Sequence, residues 1–279
     1  MDIKTGVLVC ALLVGCFAFP KPAEDLPDYF GRRDTRIVGG SEAAEGSHPH
    51  MAALHSGILV SNFVCGGAVV APRSILTAGH CVDAVSYSPG SLFLSLRVTV
   101  GTHRWNSGGQ TYRLSHDIKH PDFNSYDLRN DIAILVTTTD IEYTNRVQPV
   151  PLSFDFVPGG VEVRTAGWGA LRHLGPLSPT LVELVSSVLD ADTCVQLAAD
   201  AAPNFPQFEI PPVEPKIHIC TLQSVGQGVC DNDSGSALIR TDTGEHIGLV
   251  TWGFRCATGE PDIFVRTSAY KDFLTANLV

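Results

Sequence analysis

Gly228-Val229-Cys230-Asp231-Asn232-Asp233-Ser234-Gly235-Ser236 is the stretch around which the rest of the chain is read. It sets a serine directly after an aspartate and before a glycine, with a cysteine four residues upstream. Alone it is a loop of small residues. Two further segments give it chemical meaning: Leu76-Thr77-Ala78-Gly79-His80-Cys81 and Asn130-Asp131-Ile132-Ala133-Ile134-Leu135. Together they supply an imidazole, a carboxylate and an alcohol, in that chain order.

A serine hydroxyl is a weak nucleophile at neutral pH and needs a base to take its proton. Histidine suits the task because its unperturbed pKa is about 6.5. A carboxylate on the second ring nitrogen fixes the tautomer. In this chemistry His80 is the base, Asp131 the orienting group and Ser234 the nucleophile. The other histidines have no such company and read as ordinary surface or partly buried residues. No H-E-x-x-H or C-x-x-C pair occurs, so the sequence predicts no metal site and no cofactor.

The balance of 29 acidic against 19 basic residues gives a formal net charge of −10. That argues against nucleic acid or an anionic membrane as a partner. Lys4 followed by an apolar stretch over 7–18 reads as a signal peptide, too short to span a bilayer, with Cys16 and Ala18 at plausible cleavage positions. The expected product is secreted and soluble. Residues 19–36 are polar, charged and proline-containing, which suits a short activation peptide rather than a folded unit. Cys10 and Cys16 depart with the signal. Cys65, Cys81, Cys194, Cys220, Cys230 and Cys256 remain, an even set that reads as disulfides in a secreted chain, with fifteen possible connectivities.

From residue 37 onward the chain is a series of short β-rich runs, at 92–100, 132–136, 161–164, 247–252 and 263–265, separated by Gly, Pro, Asn and Asp. Tyr270, Phe273, Leu274 and Leu278 recur at helical spacing behind Ser268, a candidate N-cap. Residues 190–201 form a second short helical pattern. The segment between Cys194 and Cys220 is long and carries Pro203, Pro206, Pro211, Pro212 and Pro215; such a stretch reads as a surface insertion.

These segments resemble the chymotrypsin-like (trypsin-fold) serine proteases. The likeness covers 37–279, the protease domain, and includes Arg36-Ile37-Val38-Gly39-Gly40, Cys65-Gly66-Gly67, Gly167-Trp168-Gly169 and Thr251-Trp252-Gly253. It implies an all-β fold of two packed six-stranded Greek-key barrels with a C-terminal helix. His80 and Asp131 would come from the first barrel and Ser234 from the second. It also implies the pairings Cys65–Cys81, Cys194–Cys220 and Cys230–Cys256. Cleavage after Arg36 by a trypsin-like protease would free the amino group of Ile37 to pair with Asp233.

The resemblance assigns the oxyanion donors to the amides of Asn232 and Ser234. The family usually has glycine at the position of Asn232; asparagine tolerates positive φ better than most residues. Gly79 replaces a common alanine, Thr251 a serine whose hydroxyl bonds the buried aspartate, and Ser236 a glycine. Phe63 replaces a histidine that helps hold many precursors inactive. Residues 101–109 lack the acids of a calcium loop. Gly228 stands at the pocket floor, with Trp252 and Gly253 along its entrance and Asp262 at a second floor position. Gly228 with Asp262 is similar to the broad-specificity arthropod chymotrypsin and collagenase-type enzymes. The implied activity is that of a serine endopeptidase made as a zymogen, with chymotrypsin-like or broad preference and a digestive setting. Polypeptide substrates and protein protease inhibitors are the expected partners of a monomer. The alternative is a catalytically impaired homologue serving as a binding or regulatory protein.

Overall fold

The structure is a computed structural model that describes residues 37–279 apart from 58–59, 89–90, 93 and 207–209. The signal peptide, activation peptide and Arg36 lie outside the described residues. Short runs of β-branched and apolar residues form the strands. Ala133–Thr137 (β9) and Ser74–Thr77 (β4) are buried along their whole length. They pair with each other and form the centre of the first barrel. That barrel closes in the order β2 (Met51–Ser56), β3 (Asn62–Ala71), β4, β9, β8 (Gln110–Lys119) and β7 (Arg97–Val100). Leu54, Ile75, Leu76, Val98, Ile134 and Leu135 fill it. Between β4 and β7 lies a small two-stranded hairpin, β5 (Ser86–Ser88) and β6 (Ser91–Leu92).

The second barrel uses β10 (Glu162–Gly167), β11 (Val182–Val188), β12 (His218–Leu222), β13 (Ala237–Arg240), β14 (His246–Gly253) and β15 (Asp262–Arg266). Around the barrel the order is β10, β11, β12, β15, β14, β13, and the last pairs back to the first. This is the same cyclic order as in the first barrel. The two-residue β1 (Ser41–Glu42) adds to β11. Strand β11 alternates buried and exposed residues, as a strand with one wet face must. Val163, Val188, Leu238, Val250 and Phe264 pack inside. Closure leaves no barrel edge open to further pairing.

The pairings Cys65–Cys81, Cys194–Cys220 and Cys230–Cys256 are all present. Helix α2 (Ala191–Ala201) is capped by the Asp190 carboxylate, which accepts from the Asp192 amide at 3.1 Å. The terminal helix α3 runs Lys271–Asn277 and sinks Leu274 into the first-barrel core. Ser268 is not its cap. Residues 267–270 wind first into a 3-10 turn, so Tyr270 takes the N-cap position without a side-chain bond. A one-turn helix that the sequence pattern did not reveal, α1 (Gly79–Asp83), follows β4.

The Cys194–Cys220 segment differs from a bland surface insertion. Ile210 and Val213 pack against the cluster of Trp252 and Ile263, and Glu214 pairs with Arg129 across 2.5 Å. Two apolar residues among the prolines give the segment something to bury.

Leu76 is wholly buried where β4 meets β3 and β9. Leu76→Ala should lower the unfolding free energy by about 2–5 kcal/mol, read as a reduced midpoint at unchanged slope in urea titration.

Candidate active site

The route from β4 to His80 is short. Ala78 is extended (φ −77°, ψ 146°) and the chain turns at once into α1. A Cβ on Gly79 would lie 3.1 Å from the Phe123 ring and 3.2 Å from Asp131 Oδ1. Glycine there lets the helix start close to the carboxylate. Asp131 follows Asn130, which sits at φ 52°, and is itself fully buried. Its Oδ1 accepts from the His80 amide at 2.8 Å, and its Oδ2 from His80 Nδ1 at 2.7 Å. The Thr251 hydroxyl also donates to Oδ2.

Thr251 reaches inward because the pairing of β14 with β15 shifts register there. Val250 opposes Phe264 and Trp252 opposes Ile263, leaving Thr251 as the extra residue. A bulge of this kind re-aims a side chain. The Cys65–Cys81 bridge ties β3 to α1 immediately after His80.

Burial disfavours the imidazolium form of His80, but the adjacent Asp131 charge and hydrogen bond outweigh it, and Asp83 adds to them. The pKa is raised above the ordinary histidine value. The structure thus brings His80 and Asp131 together through two hydrogen bonds.

Ser234 sits in a loop held by main-chain bonds. Its carbonyl accepts from Gly66 N at 2.9 Å, and Gly235, at φ 79°, donates to Val250 O at 2.8 Å. A Cβ on Gly66 would fall 2.2 Å from Ser236 Oγ; only glycine lets β3 lie against this loop. Ser234 lines the adjoining cleft and makes no hydrogen bond to His80, whose Nε2 lies 3.7 Å from Cys81 Sγ. Such bonds commonly tighten only when substrate is engaged.

Asn232 adopts φ 70°, the left-handed geometry open to asparagine. Its side chain turns to Val64 O at 3.0 Å. Among the described residues the amides of Asn232 and Ser234 have no protein acceptor, so both are free to serve an oxyanion.

Asp233 is buried, and its carboxylate accepts from Gly169 N at 2.8 Å and Cys230 N at 3.0 Å. A Cβ on Gly167 or Gly169 would strike it. No cation pairs with it among the described residues. Burial pushes its pKa up to about 7. Ile37 is buried against Val182 and Leu184.

The cleft beside Ser234 holds about 190 Å³, and its lining includes Val229, Asp231, Trp252, Gly253, Phe254 and Asp262. Asp262 Oδ2 accepts from Val229 N at 3.0 Å. A Cβ on Gly228 would lie 3.0 Å from that oxygen, and one on Gly253 would lie 3.8 Å from Oδ1. The carboxylate thus lies between the two glycines. Burial raises its pKa to about 7.

Nothing in the sequence pattern singles out Asp231 as a cleft residue. It pairs with His173 at 3.2 Å and accepts from Leu174 N at 2.8 Å. Among the described residues two groups of metal-type donors occur, Cys65–His80–Cys81 and His173–Asp231–Cys256. Their cysteines are disulfide-bonded and offer no thiolate ligand.

Two closed barrels with a histidine–aspartate pair beside a serine loop at their junction define a trypsin-like fold. The chain matches the family described as Trypsin over residues 37–274. It is 31% identical to chymotrypsin-2 of Vespa crabro over 242 residues, covering 86% of this chain and 99% of that relative. It is 27% identical to trypsin delta of Drosophila melanogaster over 245 residues, covering 88% of this chain and 89% of the other. Human heparin binding protein shares the fold at TM-score 0.69 and 22% identity, over 86% of this chain and 96% of that one. The chain belongs to the trypsin family of serine proteases. Among the described residues no helix is long and apolar enough to cross a membrane.

Replacing Asp131 with asparagine removes the attraction that raises the His80 pKa and leaves the burial that lowers it. The imidazole titration followed by proton NMR should have its midpoint above 6.5 in the parent and below 6.5 in Asp131→Asn.

Proposed function

We propose that this chain is a secreted serine endopeptidase, made as a zymogen, that cleaves polypeptides through an acyl-enzyme on Ser234. The observation that carries the reading is the buried Asp131 carboxylate on His80 Nδ1, beside a serine loop with two unoccupied amides. Ser234 Oγ attacks the carbonyl carbon while His80 Nε2 takes its proton. Asp131 holds the Nδ1–H tautomer and favours the imidazolium that forms. The amides of Asn232 and Ser234 face the developing oxyanion, where each such donor is worth about 3 kcal/mol. His80 then protonates the departing amine, and water repeats the sequence on the acyl-enzyme.

Activation follows the same electrostatic logic. A buried carboxylate without a counter-charge is costly. Cleavage after Arg36 would give Ile37 an ammonium, and pairing with Asp233 would supply that counter-charge and order the Ser234 loop. The secretory signal and activation peptide, 1–18 and 19–36, fit this route, and a digestive setting fits the open pocket.

Asp262 sets the breadth of that pocket. Below pH 7 its carboxyl is largely neutral and the floor suits aromatic or leucine side chains. Above pH 7 the carboxylate suits lysine or arginine. The second reading, a binding or regulatory homologue, draws on the asparagine at position 232 and the unformed Ser234–His80 hydrogen bond.

Trypsin cleavage at Arg36 followed by a fluorophosphonate probe separates the two readings. Labelling of Ser234 that disappears in Ser234→Ala supports the peptidase; a folded, cleaved chain that takes no label supports the binding homologue. On active enzyme, kcat/KM should climb with pH through the raised His80 pKa, because only the neutral imidazole accepts a proton. The ratio of kcat/KM for an arginine over a leucine substrate cancels that shared dependence. It should rise through about pH 7 and become flat in Asp262→Asn; exclusive Arg/Lys cleavage at every pH would reject this account of the pocket.

A further inference from the structure

A second cleft, of about 480 Å³, opens between the end of α1 and the end of β8 and is lined by Asp83, Asp117, Lys119, His120, Phe123 and Ser125. Asp117 is the unusual member. It stands on β8 opposite the fully buried Leu135 and is only 7% exposed. Its Oδ1 is shielded from water and has no hydrogen-bond partner among the described residues. A buried carboxylate oxygen is normally paired or hydrogen-bonded.

The neighbouring charges do not answer it. Lys119 Nζ is committed to Asp83. Burial lowers the pKa of His120, so its ring is neutral near pH 7, and its Nδ1 accepts from the Asp122 amide at 3.2 Å. Asp122 acts on His120 with a negative charge of its own. The remaining faces come from Ile118, Pro121, Phe123 and Ser125, which bring no cation. Among the residues that line the cleft, the Asp117 carboxylate is the one left without a partner cation.

We propose that this cleft docks the guanidinium group of an arginine side chain presented by a polypeptide. The chemistry selects that group over the alternatives. A divalent cation needs several oxygen ligands at short range, and among the described residues Asp83, Asp117 and His120 do not converge as such a set. A guanidinium is planar, weakly hydrated and matched to one carboxylate. Its face also suits an aromatic ring, and the Phe123 ring already has the Lys119 ammonium 5.8 Å from its centroid. The site is separate from the pocket of Asp262 and does not require chemistry at Ser234. It lies behind the base, however: Phe123 packs against Gly79, and the Asp83 charge acts on His80. A cation bound here weakens that negative field at the imidazole.

Calorimetric titration of the full chain with N-acetyl-arginine amide tests the site, using the Asp262→Asn variant so that the other pocket contributes no carboxylate. One saturable site is expected. Asp117→Asn in that background should weaken it tenfold or more, Lys119→Met should strengthen it several-fold, and the neutral citrulline analogue should not bind. Asp117→Asn should melt no lower than its parent, because it removes an unpaired buried charge; lost binding with an unchanged melt therefore supports the site. Equal affinity with and without Asp117, or no strengthening by Lys119→Met, overturns the proposal. So does binding of calcium, but not of the arginine amide, that depends on Asp117. None of these readouts uses peptidase activity, so failure of the serine to label leaves this test intact.

Discussion

Burying the Asp131 carboxylate is the constraint on which the rest of the site depends. An ion removed from water is tolerated only when donors replace the water it has lost. Three donors do so here, and they come from distant parts of the chain. The amide and ring of His80 arrive from the turn after β4, and the hydroxyl of Thr251 arrives from β14 in the other barrel. The carboxylate therefore joins the two barrels as well as orienting the base. The bulge at Thr251 has its purpose in this arrangement: without the extra residue, strand alternation would not carry that hydroxyl to Asp131.

The serine loop is built on the same principle with fewer donors. Asp233 receives two amides and Asp262 one, and burial holds both near pH 7. Neither is fully compensated by the folded chain itself. A carboxylate in this condition is ready to respond to an arriving cation, whether a new chain terminus or a side chain. Glycines make room for these charges. Gly167 and Gly169 leave the space that Asp233 occupies, and Gly228 and Gly253 flank Asp262 without crowding it.

Much of this was legible in the sequence, for identifiable reasons. Runs such as 132–136 are both β-branched and wholly apolar, so they announce buried strands. The His80 and Asp131 segments carry distinctive neighbours, and the disulfide partners followed from the family resemblance, not from the spacing of the cysteines. The two six-stranded barrels followed from the family resemblance and the run of short strands, whereas which strand pairs with which was not legible, because a strand's partner depends on pairings far along the chain. The repeated cyclic order of the two barrels leaves no repeated words. The bulge at Thr251 and the 3-10 turn that displaces Ser268 from its capping role are set by tertiary packing. Asp231 and Asp117 gave no signal, since an isolated aspartate looks the same in sequence whether it is solvated, paired with a histidine or buried alone.

The distribution of charge links these separate observations. The chain carries ten more acidic than basic side chains, yet its negative groups are not spread evenly over a wet surface. Asp231 and Asp262 line the cleft beside Ser234, Asp83 ends the helix that carries His80, and Asp83 and Asp117 line the second cleft. Low-dielectric walls around such groups focus the field outward along the openings. A positively charged polypeptide would be attracted to such openings before it makes specific contacts. Salt at physiological strength screens that attraction beyond about 8 Å, but it acts far less on a carboxylate buried like Asp117. Ionic strength should thus change how fast a basic chain arrives more than how firmly an arginine is held once seated.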